Sequence, residues 1–149
     1  MIASGAYPLL AERSPIPTAG AVVTVALRAL FAQQHETFIQ ALRRYDFEQA
    51  LRRWTSNAVV WMPGQPPCYG QAAIRRLLIS DRFPTEGPFE TLALRRAGGT
   101  VYETGRCGAG EIHLQYNVLW ARTYLGEWRV ARELWDFNDP LPPPPSTSN

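Results

Sequence analysis

The sequence lacks lysine, because all 15 of its basic residues are arginine. This excludes Schiff-base catalysis and a phosphate-loop lysine, both of which need a primary amine. Arginine stays charged and geometrically rigid, so it can pair with an anion but cannot act as a base. The net charge of +2 does not by itself indicate nucleic acid as a partner. Most arginines occur in adjacent pairs, such as Arg52–Arg53, which we interpret as solvated faces.

Cysteine is also scarce, and long apolar runs are missing. Cys68 and Cys107 have no metal-ligand spacing, and we expect neither a metal nor a cofactor. A reduced protein of the cytoplasm fits this usage, and one disulfide stays an open alternative. The apolar run Ala21–Leu27 ends at Arg28 and has no positive stretch before it. Neither a signal peptide nor a membrane span is therefore predicted.

The length of 149 residues predicts one domain, and 46% hydrophobic with 19% charged residues is a globular composition. Residues 1–20 hold three prolines among small residues, which predicts a flexible arm. Residues 140–149 include the run Pro142–Pro145 and predict an extended, unpacked tail. The folded domain should therefore span residues 21–139.

Within this domain the apolar periodicity changes once, from helical spacing to strand-like alternation. The predicted helices are Ala21–Tyr45, Asp46–Trp54 with Asp46 as N-cap, and Gln71–Arg82. The predicted strands are Ala58–Met62, Phe89–Ala97, Thr100–Cys107, Glu111–Thr123 and Glu127–Phe137, with Pro63–Gly70 as a loop. Helices followed by an antiparallel meander predict an α+β domain with helices covering one sheet face.

Hairpin geometry predicts which residues share a sheet face. Tight turns place Glu103 opposite Tyr116, and Tyr116 opposite Trp135, in one row across three strands. Glu133 and Trp120 should lie nearby on the same face. Two carboxylates among large aromatic residues should have raised pKa values, in the range where they can exchange protons.

The opposite sheet face mixes polar and apolar side chains. Its predicted members are Tyr102, Thr104, Arg106, His113, Gln115, Asn117, Val130 and Leu134. An exposed face of this mixture suits a protein interface better than plain solvent. We therefore expect a homodimer formed through the outer sheet face.

Several short motifs follow one another in a specific order. They are Tyr45-Asp46-Phe47-Glu48, Ala58-Val59-Val60-Trp61-Met62-Pro63-Gly64, Gly70-Gln71-Ala72-Ala73-Ile74-Arg75, Val118-Leu119-Trp120-Ala121-Arg122, Gly126-Glu127-Trp128-Arg129-Val130 and Glu133-Leu134-Trp135. In order and spacing this stretch, about two-thirds of the chain, resembles the nuclear transport factor two-like superfamily. That superfamily includes SnoaL-like cyclases and ketosteroid isomerase.

The resemblance implies a cone-shaped domain. Three N-terminal helices would pack on a curved, mainly antiparallel sheet and leave a central pocket for a small apolar molecule. Members include isomerases, dehydratases, cyclases and non-catalytic binding modules, and many dimerise through the outer sheet face, so the fold alone does not give the function. Ketosteroid isomerases carry a carboxylate base where this chain has Met62, so steroid isomerisation by their mechanism is not expected.

Three residues are candidates for proton transfer. Glu103 is the first choice as acid or base, and its alternative role is an ion pair with an arginine such as Arg75 or Arg129. Glu133 is either a second acid or a salt-bridge partner. His35 lies on the inner face of the first helix, where it could shuttle a proton or form one hydrogen bond within the core.

Five aromatic residues should line the pocket, as ligand contacts or as core packing: Trp61, Tyr69, Tyr116, Trp120 and Trp135. The Tyr69 hydroxyl could also polarise a carbonyl. Two functions stay open. One is a cofactor-independent enzyme that moves a proton within a small hydrophobic molecule, as an isomerase, dehydratase or cyclase does. The other is a non-catalytic ligand-binding or dimeric assembly module. An unpaired carboxylate in an open pocket would favour the enzyme, whereas a paired Glu103 among packed aromatics would favour the module.

Overall fold

Three helices pack on a six-stranded sheet in the computed structural model, which describes residues 23–80, 83, 88–108 and 114–137. The helices are α1 (Val25–Arg43), α2 (Phe47–Leu51) and α3 (Gly70–Ile79). The strands are β1 (Trp54–Trp61), β2 (Cys68–Tyr69), β3 (Phe89–Ala97), β4 (Thr100–Cys107), β5 (Leu114–Arg122) and β6 (Trp128–Phe137). The predicted arm, the predicted tail and His113 lie outside the described residues.

Side-chain caps fix where the first two helices begin. The Thr24 hydroxyl accepts a hydrogen bond from the Leu27 amide, and the Asp46 carboxylate accepts one from the Gln49 amide. The predicted N-cap at Asp46 is thereby confirmed. Between these helices Tyr45 adopts a left-handed backbone with φ of 58°, which turns the chain sharply. The turn lets α2 pack beside α1.

The strands form a single sheet in the order β2-β1-β6-β5-β4-β3. All neighbouring pairs are antiparallel except β1 and β6, which run parallel. The predicted α+β class and mainly antiparallel sheet are confirmed. Several predicted bounds were wrong. The second helix ends at Leu51, where the prediction continued it to Trp54. β1 begins at Trp54 instead of Ala58, and Cys68–Tyr69 is a short strand paired with β1 instead of loop. The prediction started the strand at its apolar run and so left out the polar residues Thr55, Ser56 and Asn57.

One of the two predicted strand registers is correct. Tyr116 pairs with Trp135, as predicted, but Glu103 pairs with Val118, and Tyr116 pairs with Gly105. The β4–β5 register thus differs from the prediction by two residues, because Cys107 pairs with Leu114 and six residues separate these two in the sequence, too many for the predicted tight turn. A slip of two residues keeps every side chain on its predicted face.

A β-bulge in β6 changes which residues face the core. Leu119 pairs with Arg132 and Trp120 with Val130, so Ala131 is the extra residue. The bulge turns Val130 inward, where its side chain is 0% exposed. The prediction that Val130 lies on the outer face was therefore wrong, because strict alternation does not hold across a bulge.

The interior of the domain is rich in large aromatic side chains. Those that are fully or almost fully buried include Phe31, Phe38, Trp54, Tyr116, Trp120 and Trp135. Met62 is buried in the same core. Arg53 is buried as well, with only 4% exposure, so the interpretation of the Arg52–Arg53 pair as a solvated face was wrong for Arg53. A buried guanidinium requires partners, and these define the candidate site.

Candidate functional site

The two predicted carboxylates lie in one row at the centre of the sheet. Glu103 on β4 and Glu133 on β6 both pair with Val118 on β5, which lies between them. Their exposures are 1% and 0%. Carboxylates buried to this degree need hydrogen-bond donors or a cation: Glu103 has donors, and Glu133 has both donors and the Arg53 guanidinium.

Four side chains donate hydrogen bonds to Glu103. Oε1 accepts from Trp120 Nε1 at 2.8 Å. Oε2 accepts from the hydroxyls of Tyr116 and Thr91, each at 2.7 Å. His35 Nε2 lies 3.0 Å from Oε1 and 2.9 Å from Oε2. These donors come from α1, β3 and β5, so tertiary packing assembles the group, and both carboxylate oxygens have at least two partners.

His35 has both ring nitrogens engaged. Nε2 faces Glu103, and Nδ1 lies 2.9 Å from Nη1 of Arg53. A guanidinium only donates hydrogen bonds, so Nδ1 must be the acceptor and Nε2 must carry the proton of a neutral imidazole. The His35 ring also stacks on Phe89, with ring centroids 4.3 Å apart. Burial and the nearby Arg53 charge lower the pKa of His35, and they outweigh the hydrogen bond that His35 donates to Glu103 and the two glutamate charges, which raise it.

The pKa of Glu103 falls, where a raised value was predicted. Burial acts to raise this pKa, but the hydrogen bonds that the carboxylate accepts, the one from His35 first among them, lower it to about 2. Burial and the adjacent Glu103 charge raise the pKa of Tyr116, which keeps its hydroxyl a donor. The aromatic surroundings had suggested the opposite shift because sequence alone did not show that they present three N–H or O–H groups to the carboxylate.

Glu133 is held in a second, connected group. Its Oε1 accepts from Nε of Arg53 at 3.0 Å and from Trp54 Nε1 at 2.9 Å, and its Oε2 accepts from Trp135 Nε1. The Arg53–Glu133 ion pair is buried, and it gives Glu133 the salt-bridge role, one of the two predicted for it. Because Arg53 also contacts His35, the two groups form one network, here called the interior network.

The arginines expected as partners of Glu103 lie elsewhere. Arg75 pairs with Glu48, and Arg129 pairs with Glu127. Arg53, Trp54 and Thr91 are the network residues that the sequence did not predict. A possible signal for Arg53 is its place next to Trp54, at the point where the buried strand β1 begins.

A surface cleft reaches this network between α1 and the start of β3. Its volume is about 290 Å³, close to the lower end of small-molecule pockets, roughly 300 Å³. Two network members, His35 and Thr91, line it, and the other lining residues are Ala32, Glu36, Ile39, Arg43, Pro88 and Phe89. We call it the α1–β3 cleft.

The five aromatic residues predicted to line a pocket do not lie together. Tyr116, Trp120 and Trp135 are buried core residues, and each donates to a carboxylate of the interior network. Tyr69 is 54% exposed where β2 meets α3. Trp61 pairs with Leu134, whose neighbours Glu133 and Trp135 point inward, so Trp61 faces the outer side of the sheet.

The described residues contain neither a cluster of metal-ligating side chains nor a membrane-crossing helix. No three histidine, cysteine, aspartate or glutamate side chains among them are placed to hold a metal ion. No disulfide joins Cys68 to Cys107 in the part that the structure describes. Over the same part, no helix is both long and apolar enough to cross a membrane.

Several solved structures share this architecture. A ketosteroid isomerase-like protein from Erwinia carotovora atroseptica is 16% identical, with a TM-score of 0.62 over 75% of this chain and 96% of that chain. ActVI-ORFA from Streptomyces coelicolor is 17% identical, with a TM-score of 0.64 over 76% and 98%. A nuclear transport factor two-like protein of unknown function from Pseudomonas putida is 22% identical, with a TM-score of 0.57 over 77% and 89%.

No protein-family model and no curated protein matches the sequence. At identities this low, the structural likeness establishes the fold and leaves the activity open. The fold implied by the motifs is confirmed.

Proposed function

We propose that this chain, which has the nuclear transport factor two-like fold, is a small-molecule-binding protein whose buried carboxylates stabilise the fold and do not perform catalysis. The observation that carries the proposal is that both carboxylates are buried and accept hydrogen bonds at each of their oxygens. Each oxygen of Glu103 has at least two partners, and Glu133 accepts from three side chains. A general base needs a lone pair directed at its substrate, and these groups already use theirs.

The α1–β3 cleft is the binding site in this proposal. Its apolar side chains, including Ile39, Pro88 and Phe89, suit a small hydrophobic body. Glu36 and Arg43 supply charged groups in the same lining. A ligand with an apolar body and one polar group would fit this lining, since pockets of this kind use apolar contacts for affinity and a few polar groups for orientation.

A ligand screen that records thermal unfolding tests the proposal. A compound that binds the folded state raises the unfolding temperature by mass action. The substitution Ala32→Trp places a large ring in the cleft, and Ala26→Trp makes the same change at another exposed position of α1 that does not line it. We expect hits to stabilise the parent and the Ala26→Trp variant but not the Ala32→Trp variant. Equal stabilisation of all three proteins would contradict the site.

A second function, proton transfer, is favoured by one contact. Thr91 lines the α1–β3 cleft, and its hydroxyl donates to Glu103 Oε2. A proton from a bound molecule could pass to the Thr91 oxygen while the Thr91 proton passes to Glu103. The low pKa of Glu103 makes it a weak base for this step, which is why binding without chemistry is the first choice.

Deuterium exchange separates the two functions. A ligand from the screen would be incubated in deuterated water with the parent, with Thr91→Ser and with Thr91→Val. If the protein transfers a proton, the parent should speed the exchange of ligand hydrogen for deuterium. Thr91→Ser should keep this exchange, and Thr91→Val should lose it while it still binds the ligand. If the ligand exchanges no faster with any of the three proteins than in deuterated water without protein, proton transfer is excluded and binding is the remaining function.

A further inference from the structure

A second cleft lies between α1, α2 and the turn that precedes β6, and none of its lining residues belongs to the α1–β3 cleft. Its volume is about 380 Å³, within the range of small-molecule pockets, roughly 300–1,000 Å³. We call it the arginine cleft, because Arg52, Arg53 and Arg129 all line it. The proposed function makes no use of it.

The charge of the arginine cleft is unbalanced. Arg129 pairs through Nη2 with Glu127 at 3.0 Å, and Arg53 pairs with Glu133 in the core, so Arg52 is the lining arginine with no ion pair among the described residues. The remaining lining residues are uncharged. A partly enclosed site with excess positive charge attracts anions, and the attraction grows as water is excluded.

Two of these arginines carry a buried nitrogen without a hydrogen-bond partner among the described residues. They are Nη2 of Arg53 and Nε of Arg129. Arg53 spends its other two nitrogens on His35 and Glu133, so its position is fixed from inside the core. A buried guanidinium nitrogen without a partner is costly, and an acceptor that reached it would recover part of that cost.

We propose that the arginine cleft binds a small organic carboxylate with an apolar body. The planar guanidinium matches a carboxylate through paired, charge-assisted hydrogen bonds. Leu30, Phe38 and Trp128 supply apolar surface in the same lining. The cleft therefore combines an apolar surface for the aliphatic or aromatic body of the ligand with hydrogen-bond donors for its carboxylate.

The test compares benzoate with benzamide, its neutral isostere, by isothermal titration calorimetry at low salt. Benzoate should bind, and benzamide should bind at least about tenfold more weakly, because it lacks the charge that the arginines recognise. Arg129→Gln should weaken benzoate at least about tenfold, and Arg129→Lys should give an intermediate loss because it keeps the charge without the fork. Circular dichroism and thermal unfolding check that the variants are folded.

Arg106→Gln is the matched control, since Arg106 is an exposed arginine paired with one glutamate, Glu90, just as Arg129 is paired with Glu127. It makes the same change in net charge, and benzoate affinity should stay within about twofold of the parent. Ala32→Trp should also keep benzoate binding, because it blocks the other cleft. Absence of benzoate binding, equal binding of benzamide, or equal loss in Arg106→Gln or Ala32→Trp would overturn the proposal. These outcomes are independent of the ligand screen on the α1–β3 cleft.

Discussion

At the scale of single residues, Glu103 acts as an acceptor for donors from α1, β3 and β5. The substitution Glu103→Gln keeps the shape but replaces one acceptor oxygen with a donating amide that must face other donors. We expect a loss on the order of 3 kcal/mol in the free energy of unfolding, the range for breaking a buried, charged hydrogen-bond network. Urea denaturation measures it. Glu36→Gln, an exposed change on α1, should stay within about 0.5 kcal/mol of the parent, and equal stability of the two variants would contradict the structural role.

The same residues predict how stability depends on pH. The pKa of His35 lies below its usual 6.5, so the unfolded chain takes up a proton there before the folded protein does, and stability falls as the pH drops below about 6.5. The pKa of Glu103 is lowered from 4.5 to about 2, so its contribution is complete above 4.5 and is lost as the pH falls from 4.5 towards 2. The free energy of unfolding should therefore be larger at pH 7 than at pH 5, and larger at pH 5 than at about pH 3.5.

Denaturation midpoints at these three pH values provide the measurement. Glu103→Gln serves as the control, because the loss between pH 5 and about pH 3.5 should shrink when this carboxyl is absent. If Glu103→Gln loses as much stability as the parent between pH 5 and about pH 3.5, other groups cause the acid sensitivity.

At the scale of elements, the pairing of β4 with β5 depends on Gly105, which has no side chain. A Cβ at Gly105 would lie 2.3 Å from the Tyr116 hydroxyl oxygen and 2.5 Å from the Glu90 carbonyl oxygen. Gly105→Ala should therefore displace Tyr116 and weaken its hydrogen bond to Glu103, with a cost on the order of 2–4 kcal/mol. Near-ultraviolet circular dichroism and urea denaturation would report both effects. Gly99→Ala, where a Cβ meets open space, is the matched control and should be nearly neutral.

The sequence allowed most of these elements to be predicted, because helices and strands follow from local apolar spacing. Phe89–Ala97 and Thr100–Cys107 were predicted at their observed bounds. The bulge at Ala131 and the two-residue slip at Glu103 could not be predicted, since each depends on how a loop or a neighbouring strand packs.

In the candidate site, too, local spacing predicted some features, and others depended on tertiary packing. The burial of His35, Glu103 and Glu133 was predictable from alternation and helical spacing. The choice of partners was not, because His35 lies 68 positions before Glu103 and Arg53 lies 80 before Glu133. Sequence spacing carries no information on pairs so distant, and the sign of the Glu103 pKa shift depends on them.

At the scale of the whole molecule, the outer sheet face stays a predicted homodimer interface. Val130 no longer supports it, but Trp61 and Leu134 form a half-buried apolar pair on that face. Analytical ultracentrifugation at micromolar concentration should give about twice the chain mass of 16.7 kDa. Leu134→Glu should shift the protein towards monomer, whereas Leu125→Glu, in the exposed turn before β6, should not. A monomeric parent protein would remove the prediction.

The parallel pairing of β1 with β6 also has a consequence for how the protein folds. β1 is the first strand of the sheet along the sequence and β6 the last, yet the two are neighbours in the sheet. Pairs so distant in sequence raise the contact order, and their loop-closure entropy must be overcome before they contribute stability. During synthesis, Arg53 emerges long before Glu133 and has no carboxylate from β6 to pair with. The helical half of the domain must therefore wait for its last strand, and folding should end with the insertion of β6 beside β1.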